Sequence, residues 1–80
     1  MKMVTLLQYC KEELLPYMTR KSPNTNHSTY ELRHIIEKKI DRYIPLKELQ
    51  QTLLLLGYPV SDYYPISESY FKEKGGRHHG

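Results

Sequence analysis

The 80-residue chain reads as a mainly α domain: three helices, two of them a helix-turn-helix-like pair, closed by a small C-terminal β hairpin or strand in a winged-helix-like arrangement. Three observations carry that expectation. Apolar residues recur at helical spacing in three separate stretches, and STYE at 28–31 has the form of a helix-capping box. After Gly57 the text changes to prolines, tyrosines and β-branched residues, which suit short strands.

The first helix is expected over Val4 to Leu15, with Val4, Leu7, Leu14 and Leu15 on one stripe, and Pro16 ends or kinks it. RKSPNTNH, residues 20–27, is a polar connector rich in turn formers. Ser28 then caps the second helix, with Glu31 three residues on to complete the box. Leu32, Ile35, Ile36 and Ile40 gather on one side of it, with Tyr43 in line, while Tyr30, His34, Glu37, Lys38 and Asp41 point away. A tight break over Asp41–Ile44 leads to Pro45 as first residue of the third helix, which Gly57 stops. Leu46, Leu49, Leu53 and Leu56 form its core stripe; Lys47, Glu48 and Gln51 face outward, joined by Leu55 with Leu54 at the edge. In the closing segment Tyr70, Phe71 and Lys72 are expected as the final strand, with Tyr43–Ile44 as a candidate partner. Residues 1–74 make one domain and GGRHHG, 75–80, a mobile tail.

A chain this short buries only about 60% of its unfolded surface, so every large apolar side chain counts. With 39% hydrophobic and 26% charged residues the composition suits a folded domain rather than a disordered one. The single Cys10 excludes an internal disulfide and no CxxC cluster is present, which fits a reducing compartment. The N-terminal apolar run is interrupted by Gln8 and Lys11, too short for a signal peptide or membrane span. A soluble, cytoplasmic protein without membrane contact is the expectation.

Net charge is +3, and it is concentrated: from Arg20 to Lys47 seven basic residues stand against Glu31, Glu37 and Asp41, a local +4. That pattern suits a polyanion or an acidic protein surface, and equally a solvated helix face laced with ion pairs. On a helix-turn-helix reading the third helix enters the major groove. Lys47 then serves phosphate, Gln50 or Gln51 an adenine edge, and Arg33, Lys38, Lys39 and Arg42 hold the backbone.

The surplus leucines support a second class of function. Four leucines in a row outrun any single helix face, so Leu54 and Leu55, with Tyr58, Tyr63 and Tyr64, are candidates for a protein interface or homodimer contact. The competing reading covers them inside the monomer with the first helix or the Tyr58–Tyr64 segment. Tyrosines 58, 63, 64 and 70 could also stack on single-stranded bases, though core or rim is the commoner use of tyrosine. His34 has Tyr30 and Glu37 on its own helix face, a surface hydrogen-bonded trio; zinc would need three or four ligands, and the other histidines are His27, His78 and His79. A Cys10–His34 nucleophile pair has no supporting motif, and no phosphate loop or paired-acid arrangement occurs. The expectation is a non-enzymatic protein without cofactor, metal or small-molecule substrate.

Residues 26–60, NHSTYELRHIIEKKIDRYIPLKELQQTLLLLGYPV, resemble a group of small proteins carried by bacterial phages and other mobile elements. The matching positions are Ser28, Tyr30, Leu32, Arg33, His34, Glu37, Gly57 and Tyr58, with Tyr70 and Phe71 resembling the closing strand; Pro45 departs from the polar helix cap of that group. The resemblance implies a mobile-element origin, a helix-turn-helix-like core, and action by binding: occupying DNA, or blocking a host factor such as a defence nuclease. It implies no catalytic residue.

Overall fold

A computed structural model describes residues 4–75 of the chain, and within them the backbone is helical with no strand. Helix α1 (Leu6–Tyr9) starts at Thr5, whose hydroxyl accepts the Gln8 N–H at 3.0 Å. It continues through a widened π-helical turn (Cys10–Leu14) into a 3₁₀ turn (Leu15–Tyr17). Pro16 explains the ending: it has no N–H to return to the preceding turn. The expected helix therefore forms, but its buried face is Leu6, Tyr9, Cys10 and Leu14, and Leu7 lies 39% exposed.

Helix α2 (Thr29–Ile40) is capped by Ser28, whose hydroxyl accepts the Glu31 N–H at 3.2 Å. Only that half of the capping box forms. The Glu31 carboxylate turns instead to His27 Nδ1 at 2.8 Å, a charged donor one residue before the cap. The next free amide, that of Thr29, donates to the Asp62 carbonyl at 2.7 Å, so a distant loop completes the helix start. Asp41 ends α2 in the left-handed region (φ 57°), and the Arg42 N–H reaches back to the Glu37 carbonyl at 3.3 Å.

Helix α3 (Leu46–Leu55) begins one residue later than the proline rule suggested. Pro45 is its N-cap, and the Pro45 carbonyl accepts the amides of Glu48 and Leu49. At its far end Gly57 adopts φ +102°, with Gly57 N–H donating to Leu54 and Tyr58 N–H to Leu53, the double closure that favours glycine. Helices α2 and α3 pack on each other, and α1 packs on α3. Between them lies one core of Leu6, Tyr9, Cys10, Leu14, Leu32, Ile36, Ile44, Leu49, Leu53, Tyr64, Ile66, Tyr70 and Phe71.

The wing is a correction. Glu68–Tyr70 is a single α turn (α4) running into a π-helical turn (Phe71–Gly75), and Tyr43, the proposed strand partner, is 71% exposed. Of the aromatic and β-branched residues before it, Tyr64 and Ile66 bury, in an extended strap along the connector. Asn24 N–H donates to Tyr64, Arg20 N–H to Pro65, and Ser67 N–H to Tyr17. Pro65 has no N–H, so these bonds stay isolated and no ladder propagates. The C-terminal tail expectation falls on residues 76–80, outside those described; Gly75 belongs to the π turn.

Candidate binding surfaces

The polar residues of α2 divide into those bonded inward and those left in water. Arg33 is buried, 7% exposed: its Nη1 donates to Glu37 Oε2 and to the Ile44 carbonyl, both at 3.0 Å. Its guanidinium lies 4.8 Å from the Tyr30 ring centre and 5.6 Å from that of Tyr43. The same Glu37 oxygen accepts the Ile44 N–H at 2.9 Å, fastening the α2–α3 turn. Arg42 grips Glu48 through both guanidinium nitrogens, 2.6 and 3.3 Å, and that hydrogen bonding lowers the Glu48 pKa. Gln50 donates to the Ser61 carbonyl at 3.1 Å. Arg33, Arg42 and Gln50, three of the residues expected on nucleic acid, are thus committed within the fold. Lys38, Lys39, Lys47 and Gln51 remain exposed without a hydrogen bond or ion pair among the described residues.

The second expected surface divides too. Leu55 is 78% and Leu54 47% exposed, so neither the first helix nor the Tyr58–Tyr64 segment covers them. Tyr63 is exposed and Tyr58 half-buried against the core. Tyr64 is a core residue, 4% exposed, because the strap turns its ring inward; it leaves the candidate interface. Val60, 52% exposed, lies in the loop whose Ser61 carbonyl Gln50 ties back to α3.

A third site escaped the sequence reading: the connector is not a passive linker. Asn24 is buried, donating to the Ile66 carbonyl at 2.9 Å and to Glu68 at 3.2 Å, while its own side-chain oxygen accepts the Asn26 N–H. The Asn26 side chain adds a 3.0 Å bond to the same Glu68 oxygen. His27 closes the cluster, with Nδ1 2.8 Å from Glu31 and Nε2 2.9 Å from Glu68, and its ring stacks on Phe71 at 3.8 Å. Two carboxylates facing two ring nitrogens require both nitrogens to carry hydrogen, hence an imidazolium. Partial burial alone would lower the His27 pKa, but the bonds to Glu68 and Glu31 outweigh it and raise the pKa. Glu68, bonded by Asn26, His27 and Asn24, drops to about 2. The legible signal was the Asn-x-Asn-His run directly before a capping serine.

Beside this clasp, α2 and the C-terminal turn enclose a groove of about 820 Å³, with Tyr30, His34, Lys38, Lys39, Phe71 and Lys74 among its walls. Tyr30 meets His34 edge-on at 4.9 Å and His34 Nδ1 lies 3.4 Å from Glu37, so the three are neighbours, but the expected hydrogen bonds among them do not form and Glu37 bonds inward to Arg33 and the Ile44 amide. Lys74 reaches across to Glu13 at 3.2 Å. Burial pushes the Cys10 thiol up to about 12, which keeps it protonated and far from nucleophilic at neutral pH. Among the described residues no cluster of three His, Cys, Asp or Glu could hold a metal ion, and no helix is long and apolar enough to cross a membrane. Neither a known protein family nor any curated protein or solved structure matches the chain.

Proposed function

We propose that this chain works as a non-catalytic binding protein whose docking surface for a protein partner is the outward face of α3. One observation carries the reading: Leu54 and Leu55 stand side by side in solvent on a well-formed helix, in a chain with few large apolar residues to spare. Burying both side chains contributes roughly 3–5 kcal/mol before association costs, which makes them anchors rather than a whole interface. Lys47 with Gln51 gives this surface a polar edge, so the partner presents an apolar ridge bordered by carboxylates. In the mobile-element setting that the resemblance implies, that partner is a host factor whose action the contact blocks.

The alternative, duplex binding through a helix-turn-helix, keeps Lys38, Lys39, Lys47 and Gln51 but loses Arg33, Arg42 and Gln50 to internal bonds. Salt separates the two. Tagged protein and its Leu54→Asp/Leu55→Asp variant are captured from host cells, washed at rising salt, and weighed by light scattering. The docking reading expects a defined complex that survives high salt with the native chain and is lost with the variant. A steeply salt-dependent duplex affinity that the double variant leaves unchanged overturns it. A monodisperse dimer that the variant abolishes overturns the host-factor assignment, since the occupant is then a second copy.

A further inference from the structure

We infer that the groove between α2 and the C-terminal turn binds a short run of single-stranded nucleic acid, a site independent of the α3 face. Tyr30, His34 and Lys38 occupy successive turns on one line of α2, so the row extends about 12 Å along the helix axis at the usual 1.5 Å rise. That length spans two nucleotides, too long for one base and its own phosphate.

The chemistry changes along the row in the order such a strand needs. Tyr30 is 58% exposed, a ring at the groove wall against which a base can stack, and Arg33 backs it from within the fold at 4.8 Å. His34 follows as an exposed donor, and Lys38 with its neighbour Lys39 supplies the unpaired positive charge at the far end. The groove's carboxylates are engaged by the fold: Glu31 shares the single positive charge of His27 with Glu68, at 2.8 and 2.9 Å, and Glu73 accepts the Tyr17 hydroxyl at 2.7 Å. Lys74 is held by Glu13, so Lys38 and Lys39 are the cations left to hold phosphate. A duplex keeps its bases stacked inside and presents no face to Tyr30, which is why the inference specifies a single strand.

The test is fluorescence anisotropy of labelled eight-nucleotide oligo-dA and oligo-rA on the full chain, with a duplex of equal length as competitor. Binding to a single strand is expected to weaken roughly tenfold between 50 and 200 mM salt, the dependence of two or three phosphate contacts. Tyr30→Ala should weaken it a further tenfold or so, the loss of one stacked base, while Tyr30→Phe retains it. Lys38→Gln/Lys39→Gln should flatten the salt dependence, and these exposed positions leave the fold unchanged by circular dichroism. Oligo-dA against oligo-rA, with the base held fixed, separates a DNA from an RNA source. The Leu54→Asp/Leu55→Asp variant should bind the strand normally, so failure here and failure of the docking reading are distinct results. Equal affinity for duplex, indifference to both the tyrosine and lysine variants, or no binding at 20 mM salt overturns the inference.

Discussion

Helices α2 and α3 differ in how well their sequences foretell their outward faces. On α2, Arg33 and Glu37 look like a solvated charged face, yet Arg33 is buried, Glu37 is half-buried beside it, and together they hold the interhelical turn through the Ile44 carbonyl and amide. On α3, helical spacing puts Leu55 on the outward face and Leu54 at its edge, and both do face water. The difference teaches that in a domain this small the polar residues do structural work at the turns, which frees apolar residues for the surface. A surface assembled that way has a cost in solubility, which the proposed docking would offset.

The comparison breaks first at Glu37. Glu37→Ala leaves a buried guanidinium and the Ile44 amide without their acceptor, an expected loss of about 3 kcal/mol by urea unfolding, a large share of the total stability of a domain this size. Glu48→Gln removes the partner of a closer but more exposed pair, 2.6 Å against 3.0 Å, and should cost under about 1 kcal/mol. Equal costs would mean that burial does not distinguish the two pairs.

Much of this was legible in the sequence, and the failures share a cause. Both long helices, the Ser28 cap, the Gly57 stop and the Leu49–Leu53 stripe follow from local periodicity and capping chemistry, which nearest neighbours decide. The wing failed because proline and aromatic content signals extension, whereas strand pairing needs a partner with free amides at the right distance. Arg33 failed because an arginine's stem can bury wherever a carboxylate and a carbonyl receive its head, an arrangement set by the α2–α3 turn and not by spacing. His27 and Glu68 are 41 residues apart, and nothing local pairs them. At the candidate surfaces the sequence identified the leucines, Lys38, Lys39, Lys47 and Gln51, but not which arginines the fold would consume.

The left-handed end of α2 gives a smaller, opposite effect. Asp41 places a side chain and a negative charge at a φ of 57° beside the helix's carbonyl end, both unfavourable. Asp41→Gly should stabilise by about 0.5–1 kcal/mol, seen as a melting temperature several degrees higher.

The His27 clasp sharpens the comparison through pH. Its pKa is raised in the folded chain, so its contribution is complete below the unfolded value of about 6.5 and is lost as pH rises through the folded value. Glu68 runs the other way: its pKa falls to about 2, so its contribution is present above the ordinary carboxylate range and is lost as pH falls toward 2. Stability should therefore be greatest in the mildly acidic range and fall on either side. His27→Gln should remove the alkaline fall while leaving the acid one, as read from unfolding midpoints between pH 4 and 9. An unchanged alkaline limb would mean that the imidazolium does not hold the connector to α4.

The smallest effect on stability is the most telling for function. Leu53 and Leu55 are two positions apart on α3, one fully buried and the other 78% exposed. Leu53→Ala belongs with the core substitutions and should destabilise the chain severely. Leu55→Ala removes little that the fold uses and should leave the unfolding midpoint within about 0.5 kcal/mol. If the α3 face docks a protein, the order reverses in a binding assay corrected for folded fraction: Leu55→Ala weakens partner retention, while whatever Leu53→Ala protein remains folded binds normally. A Leu55→Ala loss of stability comparable to Leu53→Ala would show that the exposed leucine is covered in solution by the chain itself, and the docking face would disappear with it.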